Sequence, residues 1–382
     1  MNQHAKIIQF IQELYPDENN IPLHSPRFFG NEKAYLAQCI DTTFVSSVGP
    51  FVDRMERDLA AYTGAQYCVS MVNGTAALHI ALKLAGVKPG DGVVTQAFSF
   101  IATSNAIGYC GASPLFIDID SVTLGMSPQS LAEFFAQTEQ RAEGCFHLPS
   151  QKIIKACVPM HSFGMPVDLK EIKSLCDSHG VILIEDAAES IGSHYQNQHT
   201  GTIGQMGVFS FNGNKTITCG GGGALVTNDA EIARKAKHMT TQSKVPHAYE
   251  FYHDEIGYNY RCPNINAALF CAQLENIDLV LANKRDTARA YKLFFESNSW
   301  DVRFFDNQIG RLSNYWLNAV LFESFEERED FIQLAIQSKI MVRPAWQPMH
   351  YLPMYQDCWR QNLEVTERVY LTLVNLPSSV RI

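Results

Sequence analysis

Residues 66–85 read QYCVSMVNGTAALHIALKLA, and the change of period inside them decides the fold. Gln66 to Val72 predict a strand. From Thr75 to Ala85 the apolar positions Leu78, Ala81, Leu82 and Ala85 fall on one side of a helix. Pro89-Gly90-Asp91 breaks that helix, and Gly92 to Gln96 begins the next strand. The alternation continues from about residue 50 to 230, with strands expected at Leu115 to Ile119, Ile153 to Pro159, Val181 to Glu185 and Gly223 to Thr227. A helix from Leu169 to Ser178 is ended by Gly180. Short strands alternating with helices predict an α/β fold with a mostly parallel sheet covered by helices. Such sheets place ligands at the carboxyl ends of their strands.

After Arg261 the character changes. A long helical pattern runs from about Asn264 into the 290s, with Lys284-Arg285-Asp286 as its charged middle. A strand (Trp316 to Phe322), a helix (Phe325 to Ser338) and a strand (Ile340 to Arg343) follow, which reads as a second, smaller α/β unit. The expected division is residues 1–255 for an N-terminal segment and a large domain, and 256–382 for a small one. The polar stretch Gln137 to Gln151 is expected to be a surface connection.

The chain has 382 residues, 46% hydrophobic and 18% charged, enough to bury a large core. A formal net charge of -9 argues against a nucleic-acid binder but leaves room for a local basic pocket. Ten cysteines without a CxxC pair, mostly in apolar stretches, argue for a reducing compartment and against a disulfide framework or zinc knuckle. The twelve histidines show no metal-ligand spacing, so no metal site is expected. Ile7, Ile8, Ile11 and Leu14 form an amphipathic pattern, not a signal peptide, and no apolar stretch approaches the roughly 20 residues of a membrane span. A soluble, cytoplasmic protein is the expectation.

Three features stand at the ends of predicted strands. Asn73-Gly74-Thr75 opens a helix, where free backbone N–H groups suit a phosphate; an ordinary helix cap reads the same way. Glu185-Asp186 closes an apolar strand, where a buried carboxylate needs a cation or donors; a metal ligand, cap or surface acid is the alternative. Residues 210–215, SFNGNK, put Lys215 just before Gly220 to Gly223, and glycines let a backbone approach a ligand closely. Taken alone, that lysine is a surface charge. Gly201, Gly204 and Gly207 give a GxxGxxG spacing that follows no predicted strand, so it is not a dinucleotide fingerprint.

Together the three match what pyridoxal phosphate (PLP) requires: a phosphate cradle, an acid for the pyridine nitrogen, and a lysine amine for the aldehyde. In this order and setting, residues 73–78 (NGTAAL), 185–189 (EDAAE), 210–215 with the glycine run, and 257–261 (GYNYR) resemble the signature blocks of the DegT/DnrJ sugar aminotransferases. The likeness extends from Ile21 to Ser379 and includes residues 22–30, 44–49 and 375–379 (NLPSS). It implies a large domain like that of aspartate aminotransferase (PLP fold type I) and a smaller C-terminal α/β domain. It also implies that Lys215 forms the Schiff base and shuttles the proton, and that Asp186 pairs with the pyridine nitrogen. Gly74, Thr75 and Ser210 would hold the phosphate, Phe100 would stack on the ring, and Asn259 would reach the phosphate from a second subunit of a homodimer with shared active sites. Glu189 stands where many relatives carry glutamine near the phenolic oxygen, and Gly221 where many carry glutamate.

The resemblance further implies transfer of an amino group from L-glutamate to a nucleotide-linked keto sugar. Residues 26–32 (PRFFGNE), 209–215 (FSFNGNK) and 343–350 (RPAWQPMH) are similar to the branch acting on UDP-linked 4-keto-6-deoxy-N-acetylhexosamine, in the bacillosamine and legionaminic acid routes to bacterial glycans. Trp346 and His350 are candidates for the sugar pocket, with plain packing the alternative, and Arg261 for a diphosphate or the donor carboxylate, with an acidic neighbour the alternative. Rival readings are a 3-keto or dTDP- or GDP-linked acceptor, a PLP-dependent dehydratase, and a non-catalytic sensor on the same fold. Dehydratase relatives replace the lysine with histidine, so Lys215 favours aminotransfer.

Overall fold

The computed structural model describes residues 2–298 and 300–381. Its large sheet is built from β1 (Tyr67–Met71), β2 (Gly92–Gln96), β3 (Ser113–Ile117), β4 (Thr138–Arg141), β5 (Gly144–His147), β6 (Lys152–Val158), β7 (Ile182–Asp186), β8 (Met206–Ser210) and β9 (Gly223–Thr227). The main order is β1-β9-β8-β7-β6-β2-β3, with β5 on part of β6 and β4 outside β5. β8, β7, β6, β2 and β3 are parallel neighbours, and β9 runs against both β1 and β8. The expected parallel sheet is therefore its centre, and the antiparallel pairings lie around it.

Each central strand is buried on both faces, and alternate side chains enter different cores. In β9, Ala224 and Val226 pack with Phe51, Met55 and Phe270, whereas Leu225 packs with Ile80, Ala81 and Ala236 on the other face. In β8, Phe209 joins the first cluster and Val208 the second. Truncating Phe209 to alanine would cost roughly 3–5 kcal/mol. β8 was not expected, because Gly207 interrupts its β character. The glycine is needed there: a Cβ would lie 2.0 Å from the Gly201 carbonyl oxygen.

The stretch from Gln137 to Gln151 is not a mere surface connection. β4 and β5 form a hairpin that extends the sheet, and Cys145, Phe146 and His147 are buried on it. The long helical pattern after residue 264 is broken into Asn264–Leu274 and Ile277–Glu296, bent by 61°. The first of these packs on the large-domain core with Phe51 and Phe209. The N-terminal helix Gln3–Leu14, capped by the Asn2 side chain on Ala5 N–H, buries Ile7, Ile8 and Ile11 against Tyr291, Phe331 and Val374 instead. Packing thus puts the chain's start with the small unit and residues 264–274 with the large one, rather than dividing the two at 255/256.

The small unit's sheet has the order β10 (Arg303–Phe304), β11 (Asn318–Leu321), β13 (Leu373–Leu376), β12 (Arg343–Pro344), all antiparallel. β13 was not anticipated, and of the strand expected from Ile340 to Arg343 only Arg343 is in β12. Lys284, in the charged middle of the long helical pattern, is buried, with its ammonium donating to the carbonyls of Ser378 (2.7 Å) and Trp316 (3.2 Å). All ten cysteines are free, and no single helix among the described residues is long and apolar enough to cross a membrane.

Candidate active site

Five strands of the large sheet, β1, β2, β6, β7 and β8, end on one side and carry the chain into a single cavity of about 340 Å³. After β1, Asn73 caps helix Gly74–Leu84 by accepting from Ala76 N–H at 2.7 Å. The N–H groups of Gly74 and Thr75 lie in the first turn, where no carbonyl four residues back can bond them within the helix. Gly74 is pressed against β8: a Cβ there would meet Ser210 Cβ at 2.9 Å. The hydroxyls of Thr75 and Ser210 and the positive end of the helix thus share one wall.

β7 shows how period two separates neighbouring acids. Glu185 is turned away from the cavity and satisfied by N–H groups of Gly201 (2.7 Å), Ile203 (2.7 Å) and Gly204 (2.6 Å), with His161 Nε2 at 3.2 Å. Burial pushes its pKa up, but His161 and those backbone donors outweigh it and hold the carboxyl below its ordinary range. Asp186 lines the cavity and receives Thr103 Oγ1 at 2.6 Å and Ala188 N–H at 3.1 Å. Here burial wins over those donors and over Lys215, and the pKa is raised. A buried carboxylate short of positive charge, facing a cavity, suits a cationic ring N–H.

Lys215 follows β8 in a turn in which its N–H donates to Asn212 O at 3.0 Å. Its side chain is 12% exposed and its ammonium lies 3.4 Å from Glu189 Oε1 and 4.1 Å from the centroid of the Trp316 ring. The other Glu189 oxygen accepts the N–H of Phe163 at 2.9 Å. Burial raises the Glu189 pKa to about 7, against the opposing pull of Lys215. Near neutral pH the carboxyl is therefore close to the midpoint of its titration, unlike an ordinary surface glutamate.

Of the residues singled out in the sequence, Gly74, Thr75, Phe100, Asp186, Glu189, Ser210, Lys215 and Trp346 line the cavity together. Asn259, Arg261 and His350 do not. Asn259 is exposed beside Thr241, Arg261 donates to the Ser47 carbonyl, and His350 is buried in the small unit with Nε2 3.4 Å from Glu367. Residues not anticipated are Leu78, Ala102, Met160, Ala188, Asn212, Asn214 and Trp316 in the lining, and Thr103 behind Asp186. Asn212 and Asn214 lay inside a quoted motif, whereas Thr103 and Trp316 carried no local signal.

The donor set fits PLP: free N–H groups and hydroxyls at a helix start for the phosphate, a buried acid for the ring nitrogen, a lysine amine for the aldehyde, and the Phe100 ring, all on one cavity. Comparison with known proteins agrees. The model of the DegT/DnrJ/EryC1/StrS aminotransferase family matches residues 28–382. The chain is 36% identical over 358 residues to the GDP-perosamine synthase of Escherichia coli O157:H7, covering 94% of this chain and 93% of that one. It is 38% identical over 335 residues to EpsN of Bacillus subtilis, described as a putative pyridoxal phosphate-dependent aminotransferase, covering 88% and 84%. The aminotransferase TlmJ of Streptoalloteichus hindustanus has a similar structure, with a TM-score of 0.85, 26% identity and coverage of 94% and 93%. The chain belongs to the DegT/DnrJ/EryC1/StrS aminotransferase family, whose members are PLP-dependent sugar aminotransferases.

Proposed function

We propose that this enzyme moves an amino group from L-glutamate to the keto carbon at position 4 of a nucleotide-linked 6-deoxyhexose, working in the cytoplasm for glycan amino-sugar synthesis. The observation that carries the reading is the arrangement of Asp186, Lys215 and the Gly74–Thr75 helix start around one cavity. When bound, PLP supplies an aldehyde for the lysine amine and an electron-withdrawing ring. Asp186 would keep the ring nitrogen protonated, and Gly74, Thr75 and Ser210 would hold the phosphate. Lys215 Nζ takes the proton from the α-carbon of the donor and, in the second half-reaction, delivers one to the sugar carbon that has gained nitrogen. Trp346, 6.5 Å between ring centroids from Phe100, forms an apolar wall for the sugar.

Two readings of the nucleotide compete. Residues 26–32, 209–215 and 343–350 favour a UDP-linked N-acetylhexosamine. The relatives named GDP-perosamine synthase, at 36%, 35% and 32% identity, favour a GDP-linked sugar. Mass spectrometry of products from a panel of UDP-, GDP- and dTDP-linked keto sugars with L-glutamate separates them; no aminated product from any member of the panel refutes the proposal. The protein supplied with PLP should be yellow and bleach with L-glutamate. Lys215→Ala should bind PLP without turning over, and wild-type turnover by that variant refutes the lysine assignment.

A second copy of the chain completes the proposed site. Phe28, Phe44 and Val48 are exposed, as are Phe251 (83%) and Ile256 (84%) near Asn259, an extent of apolar surface that favours a partner. Mixed dimers of Asn259→Ala and Lys215→Ala chains should regain activity that neither homodimer has. No recovery would count against sharing.

A further inference from the structure

Resting on the assignment of Lys215 as proton carrier, we propose that Trp316 is the residue that positions it: the indole holds the free ammonium between one proton transfer and the next. Asn314 and Trp316 precede β11 and reach the lysine turn from the small unit. Asn314 Nδ2 donates to Thr216 Oγ1 at 3.2 Å and to the carbonyls of Glu189 (2.8 Å) and Ile191 (2.9 Å). Trp316 Nε1 donates to the carbonyl of Asn214 at 2.7 Å. The two residues flanking Lys215 are thereby each tied down, one by Asn314 and one by Trp316.

The bracket is itself held in an unusual shape. Tyr315 lies between its two members with φ at +48°, a left-handed conformation that bulky side chains rarely adopt. Trp316 N–H donates to Asn314 Oδ1 at 2.8 Å, and its carbonyl accepts from the buried Lys284. On the far side Asn314 Oδ1 occupies the space that a Cβ on Gly164 would fill, 1.9 Å away. A tryptophan serving only as core filling has no need of these constraints.

The π face suits the task. In the reaction a C–H bond of the donor breaks as an N–H bond forms on Lys215, and the lysine later gives up a proton to carbon. In between, Nζ is positively charged. An aromatic face stabilises that charge but cannot accept the proton, so the proton stays available for carbon. Nζ also donates to Glu189 Oε1 at 3.4 Å, and a carboxyl whose pKa burial raises to about 7 competes less for that proton once it is itself protonated.

The test uses the PLP-loaded enzyme and the cofactor-free protein. Trp316→Leu removes the face and the N–H, and Trp316→Phe keeps a face and loses the N–H. Bleaching by saturating L-glutamate in a single turnover should slow about tenfold in Trp316→Leu, with the half-saturating donor concentration unchanged within about twofold; a cation–π contact in a partly dry site is large enough for this. Trp316→Phe should recover most of the rate. In cofactor-free protein, trinitrobenzenesulfonate labelling of Lys215, located by peptide mass spectrometry, should quicken about fivefold in Trp316→Leu and less than twofold in Trp316→Phe. Wild-type bleaching and labelling in Trp316→Leu overturns the proposal, as does equal loss in both variants. If Trp316→Leu fails to fold, Trp316→Phe decides alone: labelling raised to fivefold overturns it. Activity in Lys215→Ala would instead overturn the lysine assignment beneath it.

Discussion

Glu189→Gln should make the stability of the cofactor-free protein less dependent on pH, and the size of the effect follows from the site. Burial holds the Glu189 pKa near 7 in the folded chain, against 4.5 when unfolded. Below about pH 4.5 both states are protonated, so the group contributes its full stability. Between 4.5 and 7 only the folded state keeps the proton, and stability falls as pH rises; above 7 the loss is complete. A gap of about 2.5 pH units corresponds to about 3 kcal/mol. Glutamine keeps the carbonyl acceptor for Phe163 N–H and cannot ionise. Relative to wild type the variant should therefore gain about 3 kcal/mol between pH 4.5 and pH 8. Urea unfolding at fixed protein concentration measures this at each pH, with Asp186 common to both chains. A difference that stays flat across the window, or one that favours wild type as pH rises, would refute the claim that burial raises the Glu189 pKa.

Lys284→Met should show the opposite dependence on wild-type pH. Burial lowers the Lys284 pKa to about 7 from 10.5, so its contribution is present above 10.5 and lost as pH falls through 7. The variant should be more stable than wild type at pH 6 by a margin that shrinks by several kcal/mol towards pH 10, in urea melts. Gly164→Ala forces a Cβ into Asn314 Oδ1 at a backbone φ of +95° and should cost roughly 2–4 kcal/mol, with a weakened grip on Lys215 seen as slower bleaching. Asn73→Ala should cost about 1 kcal/mol through the lost cap and loosen PLP, measured by urea melts and by equilibrium titration of the cofactor.

What could be read from the chain alone was whatever has a local cause. The strand, cap and helix of residues 67–84 are neighbours in sequence, so period and turn residues announced them to within a residue or two. The strand expected at Leu115 to Ile119 is Ser113–Ile117, because Pro114, lacking an N–H, is acceptable in a strand at the sheet edge. β8 was hidden because Gly207 answers to the Gly201 carbonyl rather than to β propensity. The cavity residues found early lie in turns directly after strands, where fold geometry dictates their use. Asn314 and Trp316 act on Glu189, Ile191, Asn214 and Thr216, about a hundred residues away in sequence, and their positions follow the polar Ser313 without any pattern. A hydrogen bond that crosses between two folding units leaves no period in either segment. The residues that hold the reactive lysine are therefore invisible until both units are in place, although the lysine itself is not. The same argument places Lys284: it sits in a charged run, Lys284-Arg285-Asp286, and only the arrival of the Trp316 and Ser378 carbonyls gives its amine buried partners.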